Sequence, residues 1–507
     1  MNRRRWLQTA IGAAGFGCRS EARANILFLL ADDLSWAHCG AYGSKMARTP
    51  NFDRLAKEGV LFRHSFCSSP SCTPSRTSIL SGRYQWQSGE AGVLYGAIPP
   101  DLPLVTHLLH DAGYHVGFTG KGWAPGDWKA AGLQRHPLVK EYNSKLLANS
   151  PSPGVFNGDY ASNFAAFLEE RPAGAPFFFW LGSKEPHRGY ERGYGLRKGK
   201  RLQDAEVPEF LPDAEEVRGD LLDYAAEVEW FDEQIGAALE VLKRSGELER
   251  TLIVATSDNG LPFPRAKGNL YDWGVRMPLA IRWGAGIRAS GRVVEEFCSH
   301  TDFAPTFLEA ARLPVPSSMS GRSLLPLLDG AADASRDCAF TSLERHVMAR
   351  PEGATYPMRA IRTKEFLYIR NYAPDRWPAG GDFVSSNKTA EGDVDEGPTK
   401  TYVMAHRGRH AQLSFGKRPA EELYEINKDP AQIHNVAGEP LFAKEKAKLA
   451  ARLEDMLRKT GDPRMEGKDP WQSYVYRQTD GFGASFNRSL SEAARRAAVE
   501  RATHKPE

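Results

Sequence analysis

Four short apolar runs in the N-terminal two-thirds of the chain each stop at charged or amide side chains, and this pattern narrows the possible folds most. Asn25-Ile26-Leu27-Phe28-Leu29-Leu30 leads into Asp32-Asp33, and Tyr114-His115-Val116-Gly117-Phe118 leads into Gly120-Lys121. Phe177-Phe178-Phe179-Trp180-Leu181 leads into Glu185-Pro186-His187, and Leu252-Ile253-Val254-Ala255 into Asp258-Asn259-Gly260. Near-continuous apolar runs of this length, alternating with helical patterns, mark strands buried on both faces of a mainly parallel sheet. The expected class is α/β, with that sheet lying between helices. Ligands of such open sheets bind beyond the carboxyl ends of the strands, so the polar residues closing the four runs are expected to converge on one edge.

Their chemistry narrows the reading further. Asp32, Asp33, Asp258 and Asn259 are oxygen ligands suited to a hard cation, Ca²⁺ or Mg²⁺, and no His/Cys cluster suggests zinc. Carboxylates crowded together repel unless a cation or basic side chains neutralise them. Arg76, Lys121, His187 and Lys267 supply positive charge able to grip a tetrahedral oxyanion. Taken singly, each residue is equally at home in a turn or a helix cap. Together they describe a site that transfers or hydrolyses a sulfuryl or phosphoryl group.

Residues 70–83, PSCTPSRTSILSGR, predict a short helix, with Pro74 in its first turn and Gly82 at its end. Cys72 at its mouth reads on its own as a packing residue beside a capping turn. Cys72-Thr73-Pro74-Ser75-Arg76, continued by Thr77-Ser78-Ile79-Leu80-Ser81-Gly82-Arg83, resembles the C-x-P-x-R signature of the type I sulfatases. The Asp-Asp and Asp-Asn-Gly motifs stand in the order that family shows. Residues 256–264, Asn269-Leu270-Tyr271, Tyr356-Pro357-Met358-Arg359 and Glu422-Leu423-Tyr424 are similar to its heparan N-sulfatase (sulfamidase) branch.

The resemblance implies an alkaline-phosphatase-like large domain followed by a smaller C-terminal domain with an antiparallel sheet. It implies that a maturase oxidises Cys72 to formylglycine (3-oxoalanine), whose hydrated aldehyde is the nucleophile. One Ca²⁺ would be held by Asp32, Asp33, Asp258, Asn259 and the modified Cys72. Arg76 would stabilise the modified residue and Lys121 would hold the sulfate. His187 and Lys267 would contact sulfate and leaving group, with His187 as proton donor. The family usually carries Lys-x-His where this chain has Lys121-Gly122-Trp123, so Trp123 reads either as a sugar-stacking surface or as core. By analogy with the family's C-terminal domain, Glu344, Arg345, His346 and Arg359 are candidates for binding substrate.

The implied substrate is a sulfated carbohydrate, a heparan-type fragment (N- or O-sulfate) or another anionic polysaccharide. A phosphate or phosphonate ester hydrolase is the alternative enzyme, and a silent glycan-binding protein the non-enzymatic one. The chain has 507 residues and a formal net charge of only +3, which gives no general argument for nucleic acid. No apolar stretch is long enough to span a bilayer. A homodimer is compatible with everything in the sequence. Arg3-Arg4-Arg5-Trp6-Leu7-Gln8 resembles a twin-arginine signal and Ala22-Arg23-Ala24 a cleavage site, so residues 1–24 predict export to the periplasm or medium. The expected domains are 25–332, catalytic, and 333–507, α+β. Residues 371–400 form a Gly/Pro/Asp-rich stretch too long for an ordinary connection, and so either a functional loop or mobile. Residues 440–458 carry helical periodicity with a charged, solvated face.

Overall fold

Alternation along the buried strands decides the layering. In a computed structural model of the protein, which describes residues 23–381 and 392–477, the large sheet contains β1 (Asn25–Ala31), β2 (Val60–Phe66), β3 (His115–Gly120), β4 (Lys140–Glu141), β5 (Phe177–Gly182), β6 (Thr251–Ser257), β7 (Arg276–Met277), β8 (Leu279–Arg282) and β9 (Arg292–Ser299). Their order is β4-β3-β5-β1-β6-β8-β2-β7, with β9 pairing β2. From β4 to β6 every pairing is parallel, and β8 and β7 add antiparallel partners. All seven residues of β1 are buried. Ile26, Phe28 and Leu30 enter one core with the helices Val105–Asp111 and Phe303–Ala310, whereas Leu27, Leu29 and Ala31 enter the other with Tyr160–Glu170 and Glu215–Arg244. Helices therefore cover both faces, as the apolar runs predict.

The second sheet is antiparallel, β10 (Cys338–Leu343), β11 (Met358–Thr363), β12 (Phe366–Asn371) and β13 (Glu421–Glu425) in that order. Met358, Ala360 and Ile369 pack with Phe66, Met277 and Phe297 of the large sheet's strands. Ile361, Tyr368 and Leu423 face Leu449, Leu453 and Leu457 of the helix Ala443–Lys459. The periodic stretch 440–458 is thus a 3-10 turn, Pro440–Phe442, with Leu441 exposed, followed by the half-buried helix Ala443–Lys459. Burying three leucines this way stabilises the second sheet by several kcal/mol, at about 1.5–3 kcal/mol each.

The leader read at residues 1–24 lies, but for its last two residues, outside the described residues. No described helix is long and apolar enough to cross a membrane. Cys39, Cys67, Cys72, Cys298 and Cys338 are all free thiols.

Candidate active site

Register brings the four strand ends together. Leu30 of β1 pairs with Gly182 of β5 and Thr256 of β6, and Gly120 of β3 pairs with Gly182. Asp32-Asp33, Lys121, residues 183–187 and Asp258-Asn259 consequently emerge side by side. Two backbone positions re-aim the chain there. Gly120 has φ +72, and a Cβ would lie 2.1 Å from the Gly182 carbonyl oxygen, so only glycine fits. Asp33 adopts φ 73 despite its side chain, a strained conformation of the kind found at functional sites.

The helix Cys72–Ser81 inserts over this edge, and every one of its residues is buried. Its hydroxyl-rich composition follows from that position, because each buried polar group needs a partner. Thr77 and Ser78 donate to the carbonyls of Thr73 and Pro74, Ser75 donates to the Asp258 carbonyl, and Thr73 donates to that of Pro125. Gly82 closes the helix in the left-handed conformation, φ 65. Cys72 is its first residue, where the positive end of the helix dipole favours developing negative charge.

Charges meet around the Cys72 sulfur. Lys121 Nζ lies 3.2 Å from Cys72 Sγ and 2.5 Å from Asp32 Oδ2, and Asp32 Oδ1 lies 3.6 Å from the sulfur. Arg76 donates from Nε to Asp258 Oδ2 at 2.8 Å and from Nη1 to the Lys121 and Gly122 carbonyls, with its Nη2 3.5 Å from Asp32 Oδ1. Lys267 Nζ lies 2.7 Å from Asp33 Oδ2 and 3.3 Å from Asp395 Oδ2. His187 donates from Nδ1 to the Arg188 carbonyl, so Nε2, 3.8 Å from Asp33 Oδ2, is the nitrogen that faces the site.

These contacts set the protonation states. Burial pushes Asp33 up to about 7 and Asp258 up to about 6, and the Asp32 charge adds to both. Burial also opposes the charge of Asp32, but Lys121, His187 and Arg76 hold that carboxyl below its usual range. Burial pushes the Cys72 thiol far up despite Lys121, so it stands protonated and is a poor nucleophile as it is. Burial holds His187 down to about 4, and the Lys267 charge acts in the same direction.

The donor set fits a hard cation. Asp32, Asp33 and Cys72 offer ligand atoms within 4.8 Å of one another, and Asn259 Oδ1 is a buried oxygen without a hydrogen-bond partner. Two acids whose proton affinity is raised by burial and by the neighbouring Asp32 charge are what a bound divalent ion would relieve.

A cleft of about 450 Å³, measured to its open mouth, leads to Cys72. Lys121, His187, Lys267 and His346 line it together with Leu94, Tyr95, Pro125, Val347, Asp395 and Tyr476. Of the four C-terminal candidates only His346 reaches it, its Nδ1 2.8 Å from the hydroxyl of Ser71, the N-cap residue before Cys72. Glu344 and Arg359 do not: both are fully buried in a network with Asp462 and Arg464, which ties β11 to the segment after Ala443–Lys459. Arg345 is also buried, and donates to the Gly353 and Tyr474 carbonyls. Trp123 is core rather than a stacking surface, 2% exposed, with its Nε1–H donated to Thr77 Oγ1 at 2.9 Å. Arg76, which does not line the cleft, lies behind the carboxylates.

Asp395 is the charged residue that sequence reasoning missed. It lies in the Gly/Asp stretch at 392–397, which carries no periodicity or motif to single it out. Tyr95 and Tyr476 are likewise far from any motif.

Known proteins resemble the chain over most of its length. The family model described as Sulfatase matches residues 24–313, and one described as N-sulphoglucosamine sulphohydrolase, C-terminal, matches residues 266–379. Human N-sulphoglucosamine sulphohydrolase is 31% identical over 503 residues, covering 90% of this chain and 92% of the human protein. An ulvan-active sulfatase of Formosa agariphila is 28% identical, covering 87% and 81%. A solved structure of a protein in complex with its substrate D-glucosamine-2-N,6-O-disulfate superposes with a TM-score of 0.65 at 22% identity, covering 88% of this chain and 100% of that one.

Proposed function

As the chain belongs to the sulfatase family and is a sulfuric ester hydrolase, we propose that it removes the N-sulfate of a glucosamine residue in a heparan-type fragment. The observation that carries the reading is the cleft itself: Cys72 at its end, Lys121, Lys267 and His187 around it, and Arg76 locked to Asp258 behind. Likeness over nine-tenths of the chain to human N-sulphoglucosamine sulphohydrolase supports the choice of substrate. A second reading, an O-sulfate of another anionic polysaccharide, is supported by the likeness to the ulvan-active sulfatase.

In this proposal Cys72 is converted by a maturase to formylglycine, which when hydrated supplies both the oxygen that attacks sulfur and an internal route for releasing sulfate. Asp32, Asp33, Asp258 and Asn259, with the modified Cys72, would hold one Ca²⁺, which when bound would supply positive charge at the sulfate. Asp32, Asp33, Asp258 and Asp395 outnumber the permanent cations Arg76, Lys121 and Lys267, and a sulfate monoester adds another negative charge. One divalent ion restores the balance. Lys121 and Lys267 orient the sulfate. Arg76 fixes Asp258 and the backbone at Lys121–Gly122. His187 gives its Nε2 proton to the leaving atom; an incoming anion raises the proton affinity of a ring that burial otherwise holds neutral. No histidine follows Lys121 to serve as base for sulfate release, and Asp258 or a bound water takes that part.

The division at 332/333 belongs to the same proposal, and falls between the helix Leu325–Leu328 and β10. So does export by the twin-arginine leader. Paired assays test the reading: matured enzyme is given N-sulfoglucosamine, N-acetylglucosamine 6-O-sulfate and a phosphate monoester. The first is expected to turn over fastest. Faster phosphate release would overturn the sulfatase chemistry, and faster 6-O-sulfate release would favour the second reading.

A further inference from the structure

A pocket for an anion is an unfavourable place for a carboxylate, yet Asp395 lines the cleft beside Lys121, His187, Lys267 and His346. One of its carboxylate oxygens, one of Asp33 and a ring nitrogen of His187 lie within 4.8 Å of one another. The residue is held firmly in place. Asp393 accepts from the Val347 amide at 2.7 Å and pairs with Arg350, and Lys400 Nζ donates to the Val394 carbonyl. Just beyond, Thr399 donates its amide and hydroxyl to Asp220, whose carboxylate also takes a bidentate pair from Arg188, the neighbour of His187. Lys267 Nζ, 3.3 Å from Asp395 Oδ2, gives the carboxylate a cationic partner.

Chemistry distinguishes the two sulfate classes at this position. Hydrolysis of an O-sulfate breaks an S–O bond, forms another to water's oxygen, and leaves a neutral hydroxyl, sulfate and a proton. Hydrolysis of an N-sulfate breaks S–N, forms S–O, and passes both water protons, in net, to nitrogen; R–NH–SO₃⁻ and water become R–NH₃⁺ and sulfate dianion. Only the second leaving group gains N–H donors and a positive charge, and a fixed carboxylate matches both.

We propose that Asp395 is the specificity-determining residue that recognises this nitrogen: its carboxylate accepts the sulfamate N–H and then holds the ammonium formed as the S–N bond breaks. Lys267, between Asp395 and Asp33, screens the carboxylate from the sulfate. The inference rests on the N-sulfate reading above and extends it to a residue outside every sequence motif.

Two measurements test it. Protein with Cys72 unconverted is titrated with D-glucosamine and with N-acetylglucosamine, which lacks the ammonium. Glucosamine is expected to bind roughly 10- to 100-fold more tightly, and Asp395→Asn to erase the difference. Asp395→Glu, which keeps the charge, is expected to retain a preference. In the matured enzyme, Asp395→Asn is expected to lower kcat/KM for N-sulfoglucosamine by about that factor more than it lowers kcat/KM for the 6-O-sulfate. A parallel fall on both substrates would mean that Asp395 merely holds Lys267, and equal binding of the two sugars by the wild type would overturn the assignment. Wild-type enzyme that releases only O-sulfate would overturn the substrate reading as well. Wild-type N-sulfatase activity with an unchanged substrate ratio in Asp395→Asn would overturn this inference alone.

Discussion

Replacing Trp123 with phenylalanine separates a core role from a sugar-binding one. Trp123 stands where the family usually has histidine, and its indole N–H donates to Thr77 Oγ1 at 2.9 Å within the first of the two large cores. Trp123→Phe keeps most of the apolar contact and removes that donor. Thr77 still donates to the Thr73 carbonyl, so the loss is one neutral hydrogen bond, about 1 kcal/mol. The smaller ring leaves roughly 40 Å³ empty, and at about 24 cal/mol per Å³ this adds about 1 kcal/mol. A total of about 2 kcal/mol should shift the midpoint of urea unfolding downward with an unchanged m-value. KM for the sulfated sugar should stay within about twofold, because the ring does not face the substrate. Unchanged stability with a several-fold higher KM would refute this reasoning and restore Trp123 to the sugar-binding surface.

Three further outcomes are expected. Lys121→Met, which removes the ammonium between Asp32 and Cys72, should lower kcat by about 10²–10³-fold with a smaller change in KM, as measured by sulfate release. Removing divalent ions with a chelator should abolish activity and lower the melting temperature, and added Ca²⁺ should restore both, since a ligand of the folded state alone stabilises it. Stability should fall on acidification through two buried histidines, His38 and His300, which burial holds down to about 3 and whose Nε2 atoms have no partner. With folded values below the unfolded value, the folded state binds fewer protons. Their contribution is therefore intact above about pH 6.5 and is lost as pH falls towards 3, by about 2 kcal/mol each at pH 5. Urea unfolding at pH 7 and pH 5 checks this, and His38→Gln should reduce the difference by about 2 kcal/mol.

Much of the site could be read from the sequence because its residues follow strand ends. A buried parallel strand announces itself as an apolar run, and the first polar residues after it have to lie at the sheet's edge, which places Asp32, Asp33, Lys121, His187, Asp258 and Asn259 together. Cys72 and Arg76 were legible through a compact motif on one helix. The second, antiparallel sheet was expected from the family resemblance. Substrate-side residues were not. Glu344 and Arg359 look in sequence like any charged pair near a strand, and only the fold reveals that each is consumed by a buried partner. Asp395 comes from an irregular segment whose placement depends on the Asp220–Arg188–Thr399 anchor, in which Asp220 and Arg188 are distant in sequence. Local composition cannot encode such an anchor. Trp123 shows the same limit, since whether an aromatic ring faces core or cleft depends on the helix packed against it.

The central claim is that Cys72 is a precursor rather than a thiol nucleophile. Protein co-expressed with a formylglycine-generating maturase is digested, and the peptide spanning residues 70–83 is weighed alongside a sulfate-release assay of wild type and Cys72→Ala. The expected peptide has its sulfur replaced by oxygen with loss of two hydrogens, and Cys72→Ala is expected to release no sulfate. Full sulfate release from protein whose Cys72 is still an intact thiol would contradict it.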